Sequence, residues 1–263
     1  MGKLKVQGVQ VKEEKRILLH EIRFELDEGK TLVIIGESGS GKTLLSRLLI
    51  GKKPEDAVVS GEILFEGENL LTLDSRKWQA YRGSVIAYIA QNPMALFNPM
   101  QTVRSHAQEL FKSRLSLNPE ESLKMLIDAL SLFHLKNPRE IADKYPFQLS
   151  GGMLQRIMFA MMMQLRPKLI IADEPTSALD RHNTQTIIDT LRECQRAGVT
   201  MIVITHNYEL VHQLADDVIV MREGRIIEQA PASVILKNPA TEYAKALLTD
   251  AGYTRFAGKE KSS

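Results

Sequence analysis

The octapeptide Gly36-Glu37-Ser38-Gly39-Ser40-Gly41-Lys42-Thr43 fits the pattern G-x-x-x-x-G-K-[ST],. Its chemistry is the holding of phosphate. Glycines let the backbone curl so that successive N–H groups point inward, and the positive end of the following helix dipole adds to the cradle. Lys42 then reaches the β- and γ-phosphates of a nucleotide, and the Thr43 hydroxyl ligates Mg2+. A chance glycine turn satisfies the pattern about once per hundred chains of this size at average composition. Demanding a strand before it and a helix after it lowers that further.

Leu169-Ile170-Ile171-Ala172-Asp173-Glu174 is an apolar run ending in two carboxylates. Consecutive residues of an extended segment point to opposite sides, so the pair should divide labour. Asp173 is expected to hold Mg2+ through water, and Glu174 to face the γ-phosphate as base for an attacking water. Alone, such a pair is usually a solvated turn; the phosphate loop upstream favours the chemical reading. Leu149-Ser150-Gly151-Gly152-Met153-Leu154-Gln155-Arg156 adds a third constellation. Ser150 can cap a helix and leave the Gly151 and Gly152 N–H groups beside it, which makes an anion site. Taken bare, Ser-Gly-Gly is only an ordinary cap.

These residues need elements to position them. Leu32–Ile35, a short continuous apolar run, suits a central strand buried on both faces, and Leu44–Ile50 has helical character,. Glu21–Leu26 alternates apolar and charged residues, the mark of a half-buried strand,. Gly61–Gly67 reads as an edge strand and Val85–Ala90 as another central one. From about Asn92 to Leu149 the pattern turns helical. Leu123, Leu126, Ile127 and Leu130 share one helix face, and Asn118-Pro119 supplies an N-cap and first-turn proline, a device that Asn137-Pro138 repeats,. Strand–helix alternation then resumes with Leu169–Ala172, Asn183–Arg196 and Val199–Thr205. Asp217–Met221 and Arg225–Gln229 flank a hairpin turn, two small helical patches follow, and Gly258–Ser263 is expected to be disordered,. Alternating β and α elements imply an α/β fold with a mainly parallel sheet covered on both faces.

Composition excludes several classes. A net charge of +2 over 263 residues argues against nucleic acid as the main partner,. The single cysteine, Cys194, rules out an internal disulfide and a cysteine metal cluster, and its apolar helical neighbours predict a buried structural thiol,. No run approaches the roughly 18–20 apolar residues of a membrane span; Ile157–Leu165 is expected to be a buried helix. The polar N-terminus lacks a signal-peptide apolar region,. The expectation is a chain that is soluble by itself and reaches a membrane only through partners.

In order and spacing the motifs resemble ATP-binding cassette transporter ATPases over nearly the whole chain, from about Leu4 to Leu248. Leu149–Arg156 matches that family's signature sequence. Gln91, ending a strand, looks like the glutamine that senses Mg2+ and the attacking water; Ser177-Ala178-Leu179-Asp180 resembles the dimer-contact loop; His206, ending Met201–Thr205, stands where the family has a histidine against the γ-phosphate. The resemblance implies ATP and Mg2+ as ligands, with Lys42, Glu174 and His206 catalytic, Gly36 to Thr43, Gln91 and Ser150 to Gly152 on nucleotide, and Thr43, Gln91 and Asp173 towards the metal. It implies a head-to-tail dimer with a second such subunit, a paralogue or another copy. It further implies two permease subunits, and indirectly an extracytoplasmic solute-binding protein, completing the assembly at the cytoplasmic face of a bacterial membrane. The expected organisation is an ATP-binding core in two parts, 1–91 with an antiparallel β subdomain and 157–230. A helical subdomain at 92–156 separates them, and 231–263 is a short extension. The family usually stacks an aromatic residue on adenine ahead of the phosphate loop, yet no Phe, Tyr or Trp lies between Met1 and His20; base contact is left to Val11, Ile17 or His20.

Within the family, Gln91-Asn92-Pro93-Met94-Ala95-Leu96-Phe97-Asn98-Pro99, Tyr145-Pro146 and Tyr243–Leu248 resemble bacterial peptide and nickel importers. Peptide-importer ATPases often run longer with a cysteine-containing C-terminal region, so the shorter chain is expected on the nickel or metal-chelate branch. Two other readings compete. Soluble cassette proteins of DNA repair or translation carry coiled coils, zinc clusters or two cassettes, none of which this sequence shows. A phosphate-loop kinase explains Lys42 and Asp173 but not the signature together with Gln91 and His206.

Overall fold

The computed structural model describes residues 4–90, 97–177 and 181–250. Its centre is a six-stranded sheet ordered β10-β9-β3-β8-β7-β6. The strands are β3 (Thr31–Ile35), β6 (Ile86–Ile89), β7 (Leu169–Asp173), β8 (Thr200–Ile204), β9 (Asp217–Arg222) and β10 (Arg225–Pro231). All neighbours pair in parallel except the β9–β10 hairpin. Every residue of β3, β7 and β8 is buried, as continuous apolar runs demand when both faces of a sheet are covered.

The period of two sorts side chains between two cores. Leu32, Ile34, Ile86, Leu169, Ile171, Ile202, Ile204, Ile219 and Met221 face one cluster. Their alternates Val33, Ile35, Ala87, Ile170, Ala172, Met201, Val203, Val218 and Val220 face the other,. The first cluster also contains α1 (Lys42–Leu49) and a four-stranded antiparallel sheet, β2-β1-β4-β5. There β1 (Leu4–Glu13) lies between β2 (Arg16–Leu26) and β4 (Ala57–Phe65), and β5 (Glu68–Asn69) is a two-residue edge. In β2, Leu19, Ile22, Phe24 and Leu26 are buried while Glu21, Arg23 and Glu25 are exposed, the alternation its sequence carries.

The second cluster extends into α3 (Val103–Leu115), α4 (Pro119–Leu132), α5 (Pro138–Ala142) and α6 (Gly151–Met163). On α4, Leu126 and Leu130 are fully buried and Leu123 packs against the cluster. Its start is a full capping box: Asn118 Oδ1 accepts from the Glu120 and Glu121 N–H groups, and the Glu121 carboxylate accepts from the Asn118 N–H,. The remaining helices are α2 (Ser75–Tyr81), α7 (Arg181–Arg196), α8 (Tyr208–Leu214), α9 (Ala232–Ile235) and α10 (Glu242–Asp250). No helix among the described residues is long and apolar enough to cross a membrane.

Three local expectations change. The strand containing Gly61 is not an edge, because β4 runs between β1 and β5. Gly61 marks close backbone approach instead: at φ +87, a Cβ there would sit 2.4 Å from the Gly8 carbonyl oxygen,. The strand at Val85–Ala90 is not central but the outer strand of its sheet; an apolar run reports covered faces, not the number of paired neighbours. Asn137 is not a side-chain cap. It adopts a left-handed φ of 54 with no capping bond, its amide turned towards Glu140 at 3.4 Å.

Candidate active site

The phosphate-loop residues occupy the turn from β3 to α1 on the face that carries the first core. Gly36 has φ +152, and a Cβ there would fall 2.2 Å from the Met221 carbonyl oxygen on β9. Gly41 starts α1 at φ 99. Only glycine passes so close to the neighbouring strand while turning into a helix. The β9–β10 turn braces the loop from behind, with Gly224 N–H donating to the Ser40 carbonyl at 3.0 Å. Another brace comes from the tail, where Glu37 N–H donates to the Tyr243 hydroxyl at 3.3 Å and the Arg222 guanidinium lies 4.8 Å from the Tyr243 ring centroid.

Lys42 folds across this loop. Its ammonium donates to the Gly36 and Glu37 carbonyls at 2.7 Å each and to Ser40 Oγ at 3.2 Å. Burial lowers its pKa, while the carboxylates of Glu174, Asp173 and Glu37 pull in the opposite direction,. Those opposing charges place both acids of the Asp-Glu pair within electrostatic reach of the ammonium. Thr43, in the first turn of α1, is exposed.

Asp173, the last residue of β7, is only 4 % exposed. Its Oδ2 accepts from Ser46 Oγ at 2.8 Å and from the Tyr88 hydroxyl at 3.0 Å, whereas its buried Oδ1 has no hydrogen-bond partner. A buried acceptor without a donor is costly, and here it fits a cation or a water on one. Carboxylate and hydroxyl oxygens are the donors a hard ion such as Mg2+ takes, so Asp173 and Thr43 fit that ion. Burial, and the Asp173 charge beside it, push the Tyr88 phenol up to about 12.

Glu174 leaves the strand in a left-handed conformation, φ 51, with its N–H donating to the Ile204 carbonyl at 2.8 Å. The two acids therefore part company through a backbone twist rather than simple strand alternation. The Glu174 side chain is 14 % exposed, and Oε2 lies 2.8 Å from His206 Nδ1, whose ring is 66 % exposed. Asn207 ties the His206 segment to the loop after the acids, donating from Nδ2 to Thr176 Oγ1 at 3.3 Å. The approach lacks hydrogen-bond geometry, so buried Glu174 Oε2 has no hydrogen-bond partner, and a carboxylate so placed can accept a proton.

Ser150 caps α6, its Oγ accepting from the Met153 N–H at 3.3 Å. Ser150 and Gly151 are exposed but Gly152 is buried, so only the first glycine opens to solvent as expected. Buried Gln155 donates from Nε2 to the Pro175 carbonyl, linking the signature helix to the residue after Glu174. Gln91 and Ala178-Leu179-Asp180 lie outside the described residues, as does Gly258–Ser263. Of the three residues expected near the base, Val11 is fully buried in the first core and cannot meet a ligand. Ile17 is 37 % exposed, and His20 is half-buried, its N–H on the Gly224 carbonyl at 2.8 Å. Ser46 and Tyr88 are not singled out by the sequence, and Gln155 and Tyr243 stand there only as members of longer motifs with no role of their own; strand register, which sets Tyr88 and Asp173 on one face, is the signal that could have found Tyr88.

Comparisons with known proteins identify the family. The sequence profile of the family described as ABC transporter matches residues 19–177. The chain is 40% identical over 233 residues, 88% of itself and 86% of its relative, to the metal-staphylopine import system ATP-binding protein CntD of Staphylococcus aureus (strain NCTC 8325 / PS 47). It is 39% identical to the dipeptide transport ATP-binding protein DppD of Haemophilus influenzae, covering 86% of this chain and 69% of that one. Among solved structures it resembles cbiO1 from Clostridium perfringens, part of the ABC transporter complex cbiONQ, with TM-score 0.76, 27% identity and 97% and 99% coverage. It also resembles the dimeric post-hydrolysis state of the ATP-binding cassette MJ0796 bound to ADP and Pi, with TM-score 0.75, 25% identity and 87% and 98% coverage. The chain belongs to the ABC transporter family and is the ATP-hydrolysing, ATP-binding subunit of an importer.

Proposed function

We propose that the chain drives uptake of a metal chelate by closing and opening a head-to-tail pair of cassettes at the cytoplasmic face of a membrane. The observation that carries the site reading is the convergence of Lys42, Asp173 with its unpartnered Oδ1, and the Glu174–His206 contact at one loop. Lys42 exchanges its loop carbonyls for the β- and γ-phosphate oxygens of ATP. Thr43 and Asp173 would hold Mg2+, which would supply charge neutralisation for those phosphates. Glu174 accepts a proton from the attacking water as its oxygen bonds the γ-phosphorus, and the bond from the γ-phosphorus to the bridging oxygen of ADP breaks. His206 lies against the Glu174 carboxylate and faces the γ-phosphate.

One subunit leaves part of the γ-phosphate charge facing water. The Ser150 hydroxyl and Gly151 N–H of a companion cassette neutralise it and exclude solvent, which strengthens the remaining electrostatics. The second cassette is a paralogue or another copy, and two permease subunits receive the motion through the helical subdomain, residues 92–156. The metal-chelate reading draws on the staphylopine-system relative; the dipeptide-system relative, at nearly equal identity, supports peptide as the second reading. Glu174→Gln tests the mechanism: ATP binding is expected to persist while most turnover is lost, and wild-type turnover would contradict it. For cargo, the assembled transporter's ATPase is expected to rise with metal chelate and not with di- or oligopeptide.

A further inference from the structure

Asp173 meets two hydroxyl donors that belong to different elements, and they are not equivalent. Ser46, on α1, has one proton and two acceptors within reach: Asp173 Oδ2 at 2.8 Å and the Thr43 carbonyl at 2.9 Å,. A hydroxyl at that place in a helix commonly returns its proton to the carbonyl of the preceding turn. Tyr88, on β6, also has one proton, and Asp173 Oδ2 at 3.0 Å is its acceptor.

Register explains how the phenol comes to this place. Tyr88 pairs with Ile171 and Ile89 with Ala172 in the parallel β6–β7 ladder. Side chains of one face recur every second residue, so Tyr88 and Asp173 are diagonal neighbours on the face shared with Ile86, Ile171 and α1,. The phenol spans that diagonal. Its bond occupies Oδ2 and leaves Oδ1 buried, unpartnered and free for a ligand.

We propose that Tyr88 is a positioning residue for the metal: its hydroxyl fixes the rotamer of Asp173 so that Oδ1 is presented to hydrated Mg2+ beside the phosphate loop. The proposal rests on the reading of Asp173 as the metal's carboxylate. Without the phenol, the carboxylate keeps only the shared Ser46 proton and turns to satisfy Oδ1 elsewhere. Preorganisation is lost, though the charge remains. Nucleotide without metal does not sense the change, because the Lys42 and backbone contacts do not involve Tyr88.

The test is binding of a fluorescent ATP analogue to the full chain, in EDTA and across a Mg2+ titration, for wild type, Tyr88→Phe, Ser46→Ala and Asp173→Asn. Loss of one charge-assisted bond is worth about tenfold. Tyr88→Phe keeps the ring and its packing; it is expected to raise half-saturating Mg2+ about tenfold while affinity in EDTA stays within about twofold. Ser46→Ala is expected to do less than Tyr88→Phe. An unchanged Mg2+ requirement in Tyr88→Phe, or an equal loss of binding in EDTA, overturns the positioning role, the latter by showing a merely structural one. A larger effect in Ser46→Ala than in Tyr88→Phe overturns it in favour of Ser46. If Asp173→Asn leaves the Mg2+ titration unchanged, the metal reading of Asp173 fails, and the proposal with it.

Discussion

Burial changes what single side chains can do, and Cys194 shows it away from the site. Burial pushes its thiol up to about 12, and its sulfur rests 3.5 Å from Met163 Sδ. The thiolate is the nucleophile, so the folded chain is expected to resist a maleimide at pH 8 and to react fully once unfolded. Labelling monitored by mass would show it, and rapid native labelling would contradict the burial. Gly36 carries a steric prediction: with 2.2 Å between a Cβ and the Met221 carbonyl oxygen, Gly36→Ala must shift β9 or the loop. A loss of about 2 kcal/mol or more in chemical denaturation is expected, with weakened ATP binding. At this scale the sequence was informative where chemistry is local. Lys42, Asp173, Glu174 and Ser150 announce themselves by spacing within one segment. Tyr88, Ser46 and Gln155 do not, because their partners lie 85, 127 and 20 residues away and meet only through sheet pairing and helix docking.

Elements add the second layer. Asn118 and Asn137 both precede proline, but only Asn118 makes capping bonds. Asn118→Ala is expected to cost about 1 kcal/mol in urea denaturation. Asn137→Gly should be neutral or slightly stabilising, since its left-handed φ suits glycine. Equal losses for the two would contradict the assignment. The sequence could not separate them, because a dipeptide does not reveal the φ of its first residue. It likewise could not rank β4 and β6 within their sheets, whereas β3, β7 and β8 were legible as strands from their short continuous apolar runs. The C-terminal helix α10 is tied down by Glu228. Burial works against that carboxylate, yet the N–H groups of Ala240 and Thr241 and the Thr241 hydroxyl outweigh it and hold its pKa below the usual range. A depressed folded pKa gives stability that is present above the ordinary carboxylate value, about 4.3, and fades as pH falls through the lowered one. Glu228→Gln at pH 7 is expected to raise hydrogen exchange in α10 while leaving β7 and β8 unchanged.

At the scale of the whole molecule, one sheet separates two cores, and the site sits along the strand ends where the phosphate-loop helix and the signature helix approach from opposite faces. The first face supplies Lys42, Ser46, Tyr88 and Asp173; the second supplies α6, whose Gln155 reaches the loop after Glu174. A chain so built presents two half-sites, a phosphate cradle and an exposed helix tip at Ser150. On the function proposed above, two such chains arranged head to tail would complete both. The most direct measurement is the structure of the Glu174→Gln subunit with its companion cassette, trapped with ATP and Mg2+. The γ-phosphate is expected to lie within hydrogen-bond reach of Lys42 in one chain and of the Ser-Gly-Gly helix start in the other. A γ-phosphate touched by groups of one chain alone would contradict the account.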